Sequence, residues 1–176
     1  MNFLKYLFLL CTVSFFFAAC NKEERDFVEN PTVDTYISML KKGTYNLVDE
    51  NGFRTIPNFT QEHIPALLEY ADDFTIMPQR YPIHPVSSAV GPIRLGEAIL
   101  WTIEGIIQNT KYASYSGNLC KKVIVNEEIT SEPTTNEEVL EVAKLYKLWW
   151  NGQYPFNKVH DKFSVHPLED TSFYWN

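Results

Sequence analysis

The first nineteen residues constrain the fold most, because they have the pattern of a signal segment that is absent from the mature protein. Lys5 supplies a positive charge, residues 6–17 are nearly all apolar, and Ala18 and Ala19 are small. This order is typical of a cleaved signal peptide. The apolar run is shorter than the roughly 20 residues of a bilayer-spanning helix, so a retained span is the weaker interpretation. A plain secretory signal cut after Ala19 is the serious alternative.

The end of this segment, Phe17-Ala18-Ala19-Cys20, resembles the bacterial lipoprotein signal. In that signal two small residues precede a cysteine that receives a diacylglycerol and becomes the new first residue, although Phe17 replaces the usual aliphatic residue. The resemblance implies that residues 1–19 are removed and that Cys20 is the lipid-attachment residue, which anchors the chain to the membrane. Residues 22–24 look like the short charged tag that exports some lipoproteins to the outer face of a Gram-negative outer membrane. Solvated tether charge is the alternative for these residues.

The remaining chain has the length of one ordinary domain. We predict a flexible lipidated tether over residues 20–30 and a single domain over residues 31–176. The full sequence has 15 Lys and Arg against 22 Asp and Glu, a formal charge of −7, which argues against nucleic-acid partners. Cys11 leaves with the signal and Cys20 is lipidated, so Cys120 has no partner for an intramolecular disulfide.

Helical periodicity dominates the mature sequence. One helix is predicted from the apolar positions between Val33 and Leu40 and ends at Gly43, and a second unit begins at Thr60 with a bend at Ile64. Two longer helices are predicted over residues 94–109 and 136–150. Proline-rich loops separate them, residues 46–58 allow a short hairpin, and residues 123–125 a short strand. The sequence therefore predicts a mainly α domain with at most a short hairpin.

Two resemblances refine this expectation. Residues 64–70, with a proline and paired leucines, resemble the first helix of a HEAT-type repeat, whose second helix would be residues 94–109. This implies an irregular, HEAT-like helical domain. At the level of the whole chain, the signal and the ending from Pro167 to Trp175 resemble an uncharacterised family of small Gram-negative lipoproteins. That family carries no assigned activity, so it implies fold and location only.

A candidate ligand site lies on the helix predicted over residues 94–109. Trp101 falls in the polar arc of the helical wheel, flanked by Glu97 and Glu104. An aromatic ring with neighbouring carboxylates suits a sugar, and the alternative is that Trp101 packs under the long loop or the C-terminal tail. The two carboxylates lie about 10.5 Å apart along the helix axis, which is beyond the spacing of either glycosidase pair.

Other chemistry-bearing patterns are weak. His160, Asp161 and His166 occur near Ser164 without a nucleophile elbow, and no histidine pair has metal-ligand spacing. We therefore expect no enzyme, no metal site and no cofactor. The expected function is a non-catalytic binding or assembly component of the cell envelope, at the outer membrane, with a protein or a glycan as partner. The sequence leaves both a periplasmic and an outward-facing orientation open. A surface glycan-binding protein using Trp101 and neighbouring aromatic residues is the main alternative, and a hydrolase is the weakest.

Overall fold

A computed structural model describes residues 27–28, 30–78, 81–83, 85–87, 92–113, 117–152 and 165–176. The predicted signal and Cys20 lie outside these residues, as do His160, Asp161 and Ser164. No helix in the described segments is both long and apolar enough to cross a membrane. The described residues form helices, one three-stranded sheet and connecting loops around a common core.

The first long helix, α1 (Val33–Lys42), begins and ends as its sequence predicts. The Thr32 side chain accepts a hydrogen bond from the Thr35 N–H, and Gly43 takes the left-handed conformation just after the helix. These two caps satisfy backbone groups that the helix ends leave without partners. Val33, Ile37 and Leu40 face the core. The predicted helix is confirmed.

A short hairpin follows α1, with a bridge between Val48 and Arg54. The carboxylate of Asp49 holds its turn, accepting hydrogen bonds from the N–H groups of Asn51 and Phe53. The hydroxyl of Tyr112 also donates to Asp49, and this bond is the main reason why the pKa of Asp49 lies well below its ordinary value. This hydrogen bond therefore connects the hairpin to the segment that contains Tyr112.

The chain then forms a 3₁₀ turn (Gln61–His63) that runs directly into α2 (Ile64–Leu68). Pro65 occupies the first turn of α2, where its missing N–H costs no hydrogen bond. Ile64, Leu67 and Leu68 are buried. The predicted bend at Ile64 corresponds to this change from 3₁₀ to α geometry.

The central helix, α3 (Leu95–Ile107), is buried on nearly every side. Both α2 and α4 (Asn136–Trp150) pack against it. The polar arc predicted on this helix is only partly exposed, because Trp101 and Glu104 are buried whereas Gln108 is exposed. A helix buried all round is the centre of a core.

Helix α4 has the bounds that its sequence predicts. The Thr135 side chain accepts a hydrogen bond from the Glu138 N–H, and the Glu138 carboxylate accepts one from the Thr135 N–H. This reciprocal pair is a capping box. Val139, Val142 and Tyr146 are fully buried against the core.

The sheet overturns the predicted fold class. Strand β1 (Leu119–Val125) pairs antiparallel with β2 (Glu128–Pro133) on one side and with β3 (Phe173–Trp175) on the other, giving the order β2-β1-β3. Asn126 and Glu127 connect β1 to β2 with positive φ angles of 52° and 68°, the geometry of a type I′ turn. The fold is mixed α/β, so the prediction of a mainly α, HEAT-like helical domain is wrong.

Gly105 is required by close packing inside α3. A Cβ at this position would come within 3.0 Å of the backbone carbonyl oxygen of Tyr112. Alanine normally stabilises an exposed helix by about 0.5–1 kcal/mol relative to glycine. At Gly105 we expect alanine to destabilise the protein instead, because the backbone carbonyl of Tyr112 cannot move aside as a side chain can.

We predict that Gly105→Ala lowers the free energy of unfolding by about 1–3 kcal/mol, the usual cost of an overpacked core. Urea unfolding measures it, with Glu141→Ala on the exposed face of α4 as the control, expected within about 0.5 kcal/mol of wild type. A stabilised Gly105→Ala protein would contradict the packing described for α3.

Asp73 links α1 to the start of α3. Burial alone would raise the pKa of Asp73, but hydrogen bonds from Lys41 and Thr75 outweigh burial and lower it to about 2. The Lys41 ammonium lies 2.7 Å from the carboxylate, and the Asp73 carbonyl accepts from the Gly96 N–H at 2.8 Å. Because the pKa of Asp73 is lower in the folded protein, its carboxylate stabilises the fold at pH values above its ordinary pKa of 3.8.

We predict that wild type loses this contribution as the pH falls from about 4 towards 2, while Asp73→Asn is less stable at neutral pH and less sensitive within that window. Denaturant unfolding at several pH values, with the exposed Asp72→Asn as the control, makes the comparison. Equal pH sensitivity of Asp73→Asn and wild type would contradict the assigned role of Asp73.

Candidate functional site

Glu104 is a buried carboxylate at the centre of the fold. Only 2% of its side chain is exposed. One carboxylate oxygen accepts a hydrogen bond from the Tyr146 hydroxyl at 2.5 Å, and the other lies 2.9 Å from His166 Nε2. The Gln108 side-chain amide donates a longer bond, at 3.4 Å, to the second oxygen. Burial of a carboxylate is costly unless such partners compensate for the lost water.

The partners of Glu104 come from separate parts of the chain. Tyr146 lies on α4, one turn before the helix ends, and its hydroxyl also accepts a bond from Trp175 Nε1 at 2.8 Å. His166 precedes the turn that leads into β3. The network of Glu104, Tyr146, His166 and Trp175 therefore joins two helices to the last segment of the chain, and we call it the Glu104 network.

The hydrogen bonds define the proton positions on His166. Its Nδ1 accepts from the N–H of Leu168 at 3.1 Å, so Nδ1 carries no proton in the neutral ring. The proton then lies on Nε2 and is donated to Glu104. Both ring nitrogens are engaged, so neither is free to take a proton from a bound molecule in this arrangement.

An open cavity of about 570 Å³ lies over the Glu104 network. Its wall combines three carboxylates, one ammonium group and aromatic side chains. Besides Glu104 and His166, the lining residues are Gln108, Lys122, Leu168, Glu169, Asp170, Thr171, Phe173, Tyr174 and Trp175. The Thr171 hydroxyl donates to the Leu168 carbonyl at 2.8 Å, so it is already used within the turn. The polar side chains that line the cavity can form hydrogen bonds and ion pairs with a polar molecule.

The three residues of the predicted ligand site do not meet. Trp101 is 1% exposed and its ring packs near that of Tyr81, with centroids 6.2 Å apart, so it presents no platform to solvent. Its indole N–H has no hydrogen-bond partner among the described residues. Trp101 therefore packs under the loop that contains Tyr81, which is the packing alternative.

Glu97 lies in a different environment from Glu104. Its carboxylate pairs with the Arg94 guanidinium at 3.0 Å and accepts from the Arg94 N–H, which caps the start of α3. Arg94 in turn donates to Asn136 at 2.8 Å, at the first residue of α4. Glu97 therefore holds Arg94, which joins the starts of α3 and α4. Of the three predicted residues only Glu104 lines the cavity.

Among the described residues, the remaining predicted groups form no second site. Cys120 is a buried free thiol on β1. Within the described ranges no group of three or more His, Cys, Asp or Glu side chains could hold a metal ion. Sequence reasoning missed the roles of Tyr146, His166 and Trp175. The available signal was the carboxylate of Glu104 between Ile103 and Ile106, near the end of a largely apolar helix.

We predict that Tyr146→Phe lowers the free energy of unfolding by about 1–3 kcal/mol, because it leaves both Glu104 and the Trp175 N–H short of a partner. Thermal and urea unfolding measure the loss. Tyr70→Phe is the matched control, since the Tyr70 hydroxyl bonds Asp34 at an exposed position and its loss should matter less. Equal losses in the two variants would show that the Glu104 network is not a special source of stability.

Comparison with known proteins identifies a protein family whose function is unknown. The family described as "Domain of unknown function (DUF4943)" matches residues 27–176, a range that contains every residue of the Glu104 network and its cavity. No curated protein and no solved structure matches the chain. The match covers most of the sequence, and the chain therefore belongs to this uncharacterised domain family, DUF4943.

Proposed function

We propose that this chain is a membrane-anchored lipoprotein whose folded domain is a non-catalytic binding component of the cell envelope. The anchor is inferred from Phe17-Ala18-Ala19-Cys20 and the polar residues that follow. Each buried methylene of an attached lipid is worth about 0.8 kcal/mol, so two or three acyl chains on Cys20 would hold the domain durably. The charged residues 22–24 support an outer-membrane location that faces outward.

The observation that carries the binding role is the cavity over Glu104. A carboxylate with 2% of its side chain exposed forms part of the wall of an open space, held there by Tyr146 and His166. Such pre-organisation lowers the cost of ordering a site when a ligand arrives. The rim groups Gln108, Lys122 and Tyr174 supply donors and acceptors around it.

The same geometry favours binding over catalysis. Both nitrogens of His166 are engaged, by Glu104 and by the N–H of Leu168. The Thr171 hydroxyl is bonded to a backbone carbonyl. Covalent or general-base chemistry needs a nucleophile and a free base within hydrogen-bond reach of each other, and His166 and Thr171 do not form such a pair.

The second candidate, a glycan-binding protein, gains support from the aromatic wall of the same cavity. Tyr174 and Trp175 are half-buried there, close to the carboxylates of Glu169 and Asp170. Aromatic faces beside polar groups suit the apolar and hydroxyl faces of a sugar ring. A sugar would then lie at the C-terminal strand instead of at Trp101.

Lipidation has a direct test. We expect mass spectrometry of the protein purified from membranes to find diacylglycerol on an amino-terminal Cys20. Cys20→Ala should release the domain from the membrane fraction while its unfolding transition stays unchanged. An unmodified amino terminus beginning at Cys20 or Asn21 would contradict the anchor.

Ligand binding is tested separately on the soluble domain. We expect ligand-observed NMR with a panel of monosaccharides, disaccharides and amino acids to detect binding that weakens in Gln108→Ala and Lys122→Ala. Lys42→Ala on exposed α1 is the control and should bind as wild type. Turnover of a bound compound, or loss of binding only in the control, would overturn the non-catalytic role assigned to this cavity.

A further inference from the structure

Strand β2 is an open edge of the sheet. It pairs with β1 on one side, and among the described residues no strand pairs with its other side. Every residue from Glu128 to Pro133 is exposed. An unpaired edge of this length presents backbone N–H and C=O groups that are ready to accept another strand.

The turn geometry identifies which backbone groups point outward. Val125 and Glu128 flank the two-residue turn and are partners in the register, so they form the hydrogen-bonded pair next to it. Alternation then directs the backbone groups of Thr130 and Glu132 towards β1. The N–H and C=O groups of Ile129 and Ser131 therefore point away from the sheet.

The tip of this hairpin extends beyond the core. Strand β3 pairs with residues 119–121 of β1, so within the described ranges no third strand lies beside the residues nearest the turn. Ile124 and Ile129 are partners across the hairpin and are 78% and 75% exposed. Two large aliphatic side chains on one projecting face are an unusual exposure for a polar hairpin.

The charges of the edge favour a particular partner. Glu128 and Glu132 lie on the outer strand, and the nearby ammonium of Lys121 is bound to Glu138 at 2.7 Å. If two copies paired antiparallel through Ile129 and Ser131, Glu128 of one would oppose Glu132 of the other. Like charges directly opposite each other destabilise a strand pair. Pairing of the β2 edge with a second copy of this chain is therefore disfavoured, and pairing with a strand that carries basic residues is favoured.

We propose that the outer edge of β2 is a docking site for an extended segment of another protein. That segment carries Lys or Arg opposite Glu128 and Glu132, and aliphatic residues beside Ile129, on alternating positions of one strand. Main-chain hydrogen bonds to Ile129 and Ser131 provide affinity, and the alternating side chains provide specificity. This surface is separate from the Glu104 cavity, so it does not depend on the ligand proposed there.

The test uses the soluble domain and short synthetic peptides in which valine alternates with lysine or with glutamate. We expect the lysine peptide to shift the backbone amide signals of Ile129 and Ser131 in a saturable way, and the glutamate peptide to leave them unchanged. Ser131→Pro removes the outward N–H without removing a bond to β1, and edge strands tolerate proline. Affinity should fall about tenfold or more, which corresponds to one or two lost hydrogen bonds.

Ser131→Ala keeps the N–H and is the matched control, expected to bind the lysine peptide as wild type does. Protected amides in β1 verify that the hairpin survives in Ser131→Pro. Equal binding by the proline and alanine variants, or no saturable shift at millimolar peptide, would overturn the proposal. A concentration-dependent dimer that Ser131→Pro dissociates would instead assign the edge to a second copy and also overturn it.

Discussion

The buried carboxylate of Glu104 is the interaction on which the rest of the structure depends. A carboxylate in a core is costly, so its position requires donors from elsewhere in the chain. Tyr146 and His166 supply them, and Trp175 completes the network through the Tyr146 hydroxyl. The hydrogen bonds thus hold α4 and the final segment against α3. They also shape the cavity, because the same final segment forms most of its wall.

The central helix explains why these parts are arranged as they are. Gly96 and Gly105 let backbone approach α3 closely at two points, and Arg94 joins its first turn to Asn136 of α4. With neighbours on nearly every side, α3 buries polar groups that its sequence alone places at the surface. The two binding surfaces that we propose lie at the periphery, in the cavity bordered by β3 and along the open edge of β2. This division separates the elements that give stability from those that we propose give function.

Sequence predicted the elements whose signals are local. Helix α4 was predicted with the bounds observed because a capping residue, Thr135 or Asn136, precedes its apolar face, and α1 because Thr32 and Gly43 lie at its ends. The sheet was missed because its turn is Asn126-Glu127, without glycine, and because β3 is three residues long. A helical wheel gives the angle of Trp101 and Glu104 on one helix but does not identify what packs against them. The Glu104 network joins residues up to 71 positions apart in sequence, so no local pattern predicts it.

Amide hydrogen exchange in Glu104→Gln tests the central role of this carboxylate most directly. Glutamine has the same shape, but Tyr146 and His166 bond different oxygens of the carboxylate, so an NH2 group would face one of these two donors. Asn118 and Asn176 exchange backbone hydrogen bonds of 2.9 and 3.1 Å at the junction of β1 and β3. If the Glu104 network holds this segment, the amides of Asn118 and Asn176 should lose protection while that of Tyr36 in α1 keeps it. Unchanged protection at Asn118 and Asn176 would contradict the account.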